Sequence, residues 1–559
     1  MPRSNLTNYP RMILLLLITL STSVVGKTIY VDDDANGAYN GSSWADAYNY
    51  LQDALMTASG GDVIQVAQGI YKPDLFVLSE RPNLRRMETF RLKNGVAIRG
   101  GYAGLGEPNA NARNVDLYET ILSGDLAGND INVNGPRDLL DESTRTDNSF
   151  RVVTSSVTNK TAILDGFTIT AGNQHGMYNQ SGSPTLTNCK FIGNRAYPWG
   201  GGLYNDSGSP RLSNCSFRGN LAKYGAGVWN SEGTPILTEC TFSDNSAERG
   251  GGMCNYRSRP ILINCKFSEN SAEWGGGISN ENNSNTNLID CIFINNHSSA
   301  AKLNSYGSGM YNKQSDPTLT CCTFNNNKAQ WGGGMYNDNS NPIIINCTFG
   351  GNVAGWGGGI YSRDRSNPVL TNCTFSGNRA SRWGGGICNF NSSPWLSNCT
   401  FGGNSSASLG GGVYSYSSKP MLINCILWDN HAPTGSQIHD DGASSAIVSY
   451  CNIQGGYPGD NNMNTDPVFV NSRGIDNILG TIDDNLQLSL GSPCINAGDN
   501  FAVPVSVTSD LNGNRRIING TVDFGAYEWA PLTTASSENV KVSEPGFSTT
   551  TTIVFDTIK

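Results

Sequence analysis

Eleven cysteines at a nearly fixed interval constrain this chain more than any other feature. Cys189, Cys215, Cys240, Cys265, Cys291, Cys322, Cys347, Cys373, Cys399, Cys425 and Cys451 follow one another at 25 or 26 residues, with a single step of 31. The text around them repeats as well: PRLSNCSFRGN at 210–220, PILINCKFSEN at 260–270, PIIINCTFGGN at 342–352 and PVLTNCTFSGN at 368–378. About seven residues later a glycine run meets an aliphatic residue, as in WGGGISN at 274–280 and WGGGMYN at 331–337. A repeated unit of this length cannot bury an apolar face alone, so it must stack on copies of itself.

Within a unit the apolar residues alternate over runs of three to five, separated by Gly and Asn, which is the pattern of short strands and turns. Leu212 ends one strand, Cys215 and Phe217 share the inward parity of the next, and Val228 points inward from a third while Trp229 points out. Stacking gives each strand parallel partners about 4.8 Å away. The expected fold is therefore all-β, a right-handed parallel β-helix of about fourteen coils. With 66 glycines among 559 residues, only 38% hydrophobic and 15% charged residues, the composition suits a turn-rich solenoid rather than a helical enzyme. A net charge of −9 and no Lys/Arg cluster disfavour nucleic acid, because a phosphate grip needs a basic face.

The asparagines fit the same scheme. Asn188, Asn214, Asn264, Asn346, Asn372, Asn398 and Asn424 precede ladder cysteines, while Asn194, Asn220, Asn270, Asn352, Asn378 and Asn404 close an FxxN turn. Asn tolerates left-handed backbone, and stacked amides can bond from coil to coil; glycosylation at NxS/T is the competing reading. Stacked cysteine side chains stand one strand spacing apart, much farther than the roughly 2 Å of a disulfide. The ladder is therefore expected to be buried thiols acting as small apolar residues. Metal binding by cysteine is disfavoured by the lack of CxxC pairs, and the chain has only four His.

Residues 1–26 place Arg3 and Arg11 before the apolar run Met12–Leu20, the layout of a secretory signal peptide. The mature chain, from about Lys27, has no later apolar stretch long enough to span a membrane as a helix. An N-terminal cap and irregular coils are expected over 27–160, with Ser43 capping a helix at about 44–58. Regular repeats then fill 161–455, irregular coils and a cap 456–530, and a Ser/Thr-rich tail 531–559. The FxxN and GG-aliphatic repeats resemble those of the polymorphic outer-membrane proteins of chlamydiae. TIYVDDDANGAYNGSSWADAY, LDGFTIT, GSPCINAGD and DFGAYE resemble the end coils of secreted bacterial right-handed β-helix proteins. The resemblance implies export and a secreted, outer-membrane or cell-surface place, although no autotransporter barrel follows the repeats.

Four features could carry chemistry. DINVNGPRDLLD at 130–141 offers Asp130, Asn132, Asn134, Asp138 and Asp141 around Gly135 in the spacing of a calcium loop, against the alternative of an acidic solvated loop. Asp32, Asp34, Asn36 and Gly37 match that spacing in part, with Ser43 where an acid is needed. Trp199, Tyr224, Trp274, Trp331, Trp356 and Trp383 recur before the glycines, and Tyr204, Trp229, Tyr311, Tyr336, Tyr361 and Tyr414 just after them. Such files suit stacking on sugars or a protein partner, or else the rings stack on each other and shield the glycine strand. Right-handed β-helices include pectate lyases, which makes polysaccharide cleavage the alternative function. Acids such as Asp244, Glu269 and Asp338 are scattered, however, and no catalytic constellation emerges. The long step near His297–Ser305, holding His297 and Lys302, reads as a loop or a functional insertion. The expected protein is a monomeric, non-catalytic β-helix presenting an aromatic/Asn ladder to a polysaccharide or a surface protein, with Ca2+ as the one cofactor considered.

Overall fold

The computed structural model describes residues 26–73, 85–131, 135–297 and 304–530. The chain winds as a right-handed parallel β-helix whose coils build three long sheets of 15, 13 and 14 strands. Every regular coil contributes a leucine strand, a phenylalanine strand and a glycine strand; in one coil these are Arg211–Ser213, Ser216–Arg218 and Val228–Ser231. Between the regular coils the three long sheets keep one register: Leu212 faces Leu237, Phe217 faces Phe242 and Val228 faces Met253. A one-residue slip would turn the whole inward set to solvent, so the buried stack enforces the register.

Inside the tube Leu212, Cys215, Phe217 and Val228 are buried, as their parity predicts, with the same four columns in every coil. Successive phenylalanines stack with ring centroids 4.5–4.9 Å apart and planes within 6°. All fifteen cysteines are free and all but Cys321 are buried. Each ladder sulfur donates weakly to the carbonyl two residues earlier, as Cys265 does to Ile263 at 3.4 Å.

The two asparagine sets do different work. Those before the cysteines hold the left-handed corner, with φ of 50–56° at Asn188, Asn214, Asn264, Asn346, Asn372, Asn398 and Asn424. Those of FxxN point inward and are buried. Asn194 begins a continuous amide ladder that runs through Asn270 to Asn430, each Nδ2 donating to the next Oδ1 at 2.8–3.2 Å. A further buried ladder, Asn179–Asn205–Asn230–Asn255–Asn280–Asn312–Asn337, runs beneath the glycine sheet. The inner asparagines therefore present nothing to a ligand; they satisfy one another and the backbone where the tube turns.

The ends differ from expectation. The helix covering the first coil, α1 (Leu51–Thr57), begins well after Ser43. Tyr48 is drawn into a parallel bridge with Val31, and its N–H bonds the Tyr30 carbonyl, which keeps the preceding chain extended. Ser43 instead closes a turn with Asp46. Leu51, Ala54 and Leu55 bury against the first coil and cover its open edge. At the other end Tyr457 packs on the core. Residues 466–530 then fold back along the outside of the tube instead of stacking as irregular coils. This cap is held by the corner asparagines: Nδ2 of Asn372, Asn398 and Asn424 donates to the carbonyls of Ser509, Asp523 and Asp499. Residues 1–25, the tail from 531, Lys302, Asn132 and Asn134 lie outside the described residues.

Candidate functional site

The aromatic files form a slab outside the glycine sheet. Tyr311, Tyr336, Tyr361, Tyr414 and Cys388 are buried beneath Trp274, Trp331, Trp356 and Trp383, which are half-buried. Trp331 lies between Tyr306 at 4.8 Å and Trp356 at 5.0 Å, both nearly parallel to it. Trp356 has Arg382 at 4.8 Å from its ring centre on top of that, and Trp274 has Arg249 at 4.7 Å. The ring faces are thus occupied by neighbours, and solvent meets ring edges. Only at the N-terminal end does a file residue open: Trp199 is 41% exposed, while Tyr224 stays half-buried. Replacing Trp331 with Ala should therefore cost about 2 kcal/mol of stability in a denaturant titration, by loss of packing on both faces. An unchanged midpoint would return Trp331 to the list of ligand-binding rings.

The two acidic loops part company. Asp130 accepts from Nδ2 of Asn148 at 2.9 Å and pairs with Arg145 at 3.5 Å, so a cation there would compete with a guanidinium. Burial nonetheless holds the Asp130 carboxyl above its ordinary value. Asp138 and Asp141 are exposed on a short turn around the buried Leu139. Among the described residues, one group of three acids brings its carboxylates within 4.8 Å of one another: Asp32, Asp33 and Asp34. Burial, then repulsion from Asp34, keeps Asp32 and Asp33 above the ordinary carboxylate range. Asp32 already accepts the N–H groups of Asp34 and Leu105, a fit for a structural turn at least as much as for an ion.

The folded-back cap creates a hollow against the tube. Its arm, 479–486, lies on the outer face of the phenylalanine sheet and encloses a cleft of about 470 Å³. The floor is the outward column Lys266, Ile292, Thr323, Thr348 and Thr374, five coils in register. The wall is Thr481, Ile482, Asp484 and Leu486, with Tyr527 at the inner end. Close approach of the arm depends on small residues in the second outward column: a Cβ on Gly350 would come within 3.0 Å of the Gly480 carbonyl, and one on Gly402 within 3.0 Å of Leu486. Nδ2 of Asn325 fixes the arm by donating to that same Gly480 carbonyl.

Asp484 is the carboxylate of this cleft. Its Oδ2 accepts from the Ser376 hydroxyl and from the Gly480 N–H, while its Oδ1 is buried without a hydrogen-bond partner. Burial raises its proton affinity, against the lowering effect of those two donors. Burial also pushes the Tyr527 phenol up, so it stays a neutral donor. The cleft thus offers hydroxyl, amide and carboxyl groups opposite the apolar faces of Ile292, Ile482, Leu486 and the Tyr527 ring. None of these residues was singled out from the sequence. The available signal was two glycines, Gly350 and Gly402, in an outward column that elsewhere holds Ile192, Arg218, Ser243, Ser268 or Ile294.

A model of the right-handed β-helix region matches residues 176–307 and 298–419. The match agrees with the fold: the chain is built as a right-handed β-helix. No curated protein sequence matches it. Similar solved structures include the pectate lyase Pel9A, at 13% identity and a TM-score of 0.30 over 90% of this chain and 96% of that one. XylC in complex with xylose aligns at 9% identity and a TM-score of 0.36, over 90% of this chain and 99% of that one. The A-module of the mannuronan C-5 epimerase AlgE4 from Azotobacter vinelandii aligns at 13% and 0.28, over 73% and 92%. Likenesses this distant carry no argument about what this β-helix protein binds or does.

Proposed function

We propose that this β-helix protein is an exported, non-catalytic glycan-binding protein whose sugar site is the cleft beneath the C-terminal arm. The observation that carries the reading is the lining. An enclosed hollow with hydroxyl, amide and carboxyl groups on one side and aliphatic and aromatic carbon on the other suits a pyranose ring, which is itself polar at its edge and apolar on its faces. Export rests on the arrangement of residues 1–26, and attachment to an outer membrane or cell surface on the resemblance of the repeats and end motifs.

The lining contains a single carboxylate among the described residues, Asp484, with Lys266 four coils away on the floor. Glycoside hydrolysis ordinarily uses two carboxyl groups flanking the bond, so binding is favoured over cleavage. Calorimetry with a panel of plant, bacterial and algal oligosaccharides tests this. The mature chain is expected to bind at least one of them, and Thr348→Trp, which fills the floor, to weaken it about tenfold or more, equivalent to about 1.4 kcal/mol. Trp331→Ala is expected to leave the affinity within about twofold. Binding lost in Trp331→Ala but kept in Thr348→Trp would move the site back to the aromatic slab. A calcium-dependent rise in ultraviolet absorbance on uronate polymers would replace the reading with a lyase.

A further inference from the structure

Resting on that glycan reading, we infer that the cleft recognises the end of a linear saccharide chain, not its middle. The floor changes steadily along the tube. Lys266 is exposed and Ile292 is 42% exposed, Thr323 and Thr348 are half-buried, Thr374 is 2% exposed and Thr400 is covered entirely. Four coil steps of about 4.8 Å make a floor about 19 Å long, open at Lys266 and blind at Thr374.

The blind end is built from three sides. On the floor beyond Thr374, the Thr400 hydroxyl accepts from the Ala526 N–H at 3.0 Å, and Gly525 lies tight enough that a Cβ would come within 2.5 Å of that hydroxyl. Leu486 seals the flank over Gly402, and Leu479 covers Gly403. The Gly480 backbone closes on Gly377, where a Cβ would meet it at 2.4 Å. A chain entering past Lys266 therefore stops at Ser376, Asp484 and Tyr527, and it cannot run through.

Chemistry at the stop matches a sugar terminus. Ser376 spends its hydroxyl on Asp484 Oδ2, leaving Oδ1 buried and unpartnered and facing the needs of one more donor. Thr374 and Thr348 share a hydroxyl–hydroxyl bond of 3.2 Å, which leaves lone pairs and one rotor for a ligand. A terminal ring carries a free hydroxyl where an internal ring carries a glycosidic link. A turn of the Asp484 carboxyl toward the cleft would let that hydroxyl donate to it and remove the cost of the orphaned buried acceptor. A blocked end offers bulk and no donor at the same place. At the open end Lys266 suits a chain that bears acidic groups away from its terminus.

The test uses the mature chain and linear oligosaccharides of increasing length from whichever panel member binds. Each is prepared free-ended, capped at the non-reducing end, and capped at the reducing end. Affinity is expected to climb with length until the floor is filled and then level off. One of the two caps is expected to weaken binding by about tenfold or more, as loss of a hydrogen bond to a buried acceptor requires. Asp484→Asn should abolish the difference between capped and free chains, with binding to free chains weakened. Equal affinity for capped and free chains would overturn end recognition while leaving the glycan site standing. Failure of wild type to bind any glycan would overturn both. Competition by a free peptide amino terminus, lost in Asp484→Asn, would assign the blind end to a peptide and overturn the inference as well. Thr348→Trp, checked by circular dichroism for an intact β-helix, locates any binding in the cleft independently of Asp484.

Discussion

Replacing Asn270 with leucine is expected to destabilise the central coils by about 4–8 kcal/mol, the largest effect of any single change in the tube. Asn270 has no exposed atom and touches no ligand. Its Nδ2 donates to the Phe242 carbonyl at 2.9 Å and to Asn296 Oδ1 at 3.0 Å, while its Oδ1 accepts from the amide and the N–H of Asn245. Leucine fills similar space, so a cavity is not the cause. What is lost is the partner of several buried polar groups at once, at roughly 1–3 kcal/mol for each group orphaned. Because a solenoid is held by nearest-neighbour contacts, the damage should concentrate in the coils of Asn245 and Asn296. Hydrogen exchange resolved by coil, with a denaturant titration, reads both the size and the place. A midpoint within about 1 kcal/mol of wild type would mean that the ladder relaxes around a missing rung and that Asn is retained there for its turn alone. The corner residue Asn264 provides the contrast, since it is exposed, at φ 52°, and Asn264→Gly keeps the backbone and should change little.

That contrast also shows what a sequence of this kind declares. The inward columns were legible because parity is a local rule: once Cys215 and Phe217 share a face, eleven repeats confirm it. The two classes of Asn were legible as structural, yet their division of labour was not. Left-handed corners and inward amides both select Asn, and only the coil geometry separates Asn264 from Asn270. The Asn205–Asn230–Asn255 ladder escaped notice because it sits among tyrosines and tryptophans that drew attention to the outward face. Those rings proved to be a slab of two layers: a residue outside the tube is not thereby at the surface when its neighbours above and below are equally large. The cleft was least legible of all. It arises between Thr348 and Asp484, 136 positions apart, because a cap with no repeat of its own lies down on a sheet. Only the glycines Gly350 and Gly402, in a column with none in the coils before them, recorded that something packs there.

The cap makes the second large prediction, and it links stability to binding. Arg516 is buried with Asp510, Asp523 and Glu528 around it; it pairs directly with Glu528 and donates to the Asp523 and Gly525 carbonyls. Asp510 accepts the N–H groups of Asn512, Asn514 and Glu528, and Asp523 those of Asn496 and Trp529, although burial outweighs the latter pair and holds the Asp523 carboxyl above its ordinary value. Glu528 differs. Its Oε1 faces Arg516 at 3.2 Å and accepts the Asp523 N–H, but its Oε2 has no partner, and burial pushes its pKa up to about 8. The folded cap therefore keeps a proton that the unfolded chain releases above about pH 4.5. A raised carboxyl pKa means stability present at low pH and eroded as pH climbs through the folded value. The loss grows by about 1.4 kcal/mol per unit between those two values and amounts to several kcal/mol by mildly alkaline pH. The cap should accordingly open to proteolysis above about pH 8, with the coils before it intact, and glycan binding should fall with it because Asp484 and Tyr527 leave the cleft. Glu528→Gln should flatten this pH response. Arg516→Met should do the opposite, leaving three buried acids without a cation at a cost of about 3–5 kcal/mol and freeing the cap at neutral pH. If Arg516→Met keeps the cap protected and the pH response survives in Glu528→Gln, the hydrogen bonds from Asn372, Asn398 and Asn424 are what hold it, and the buried cluster is a passenger.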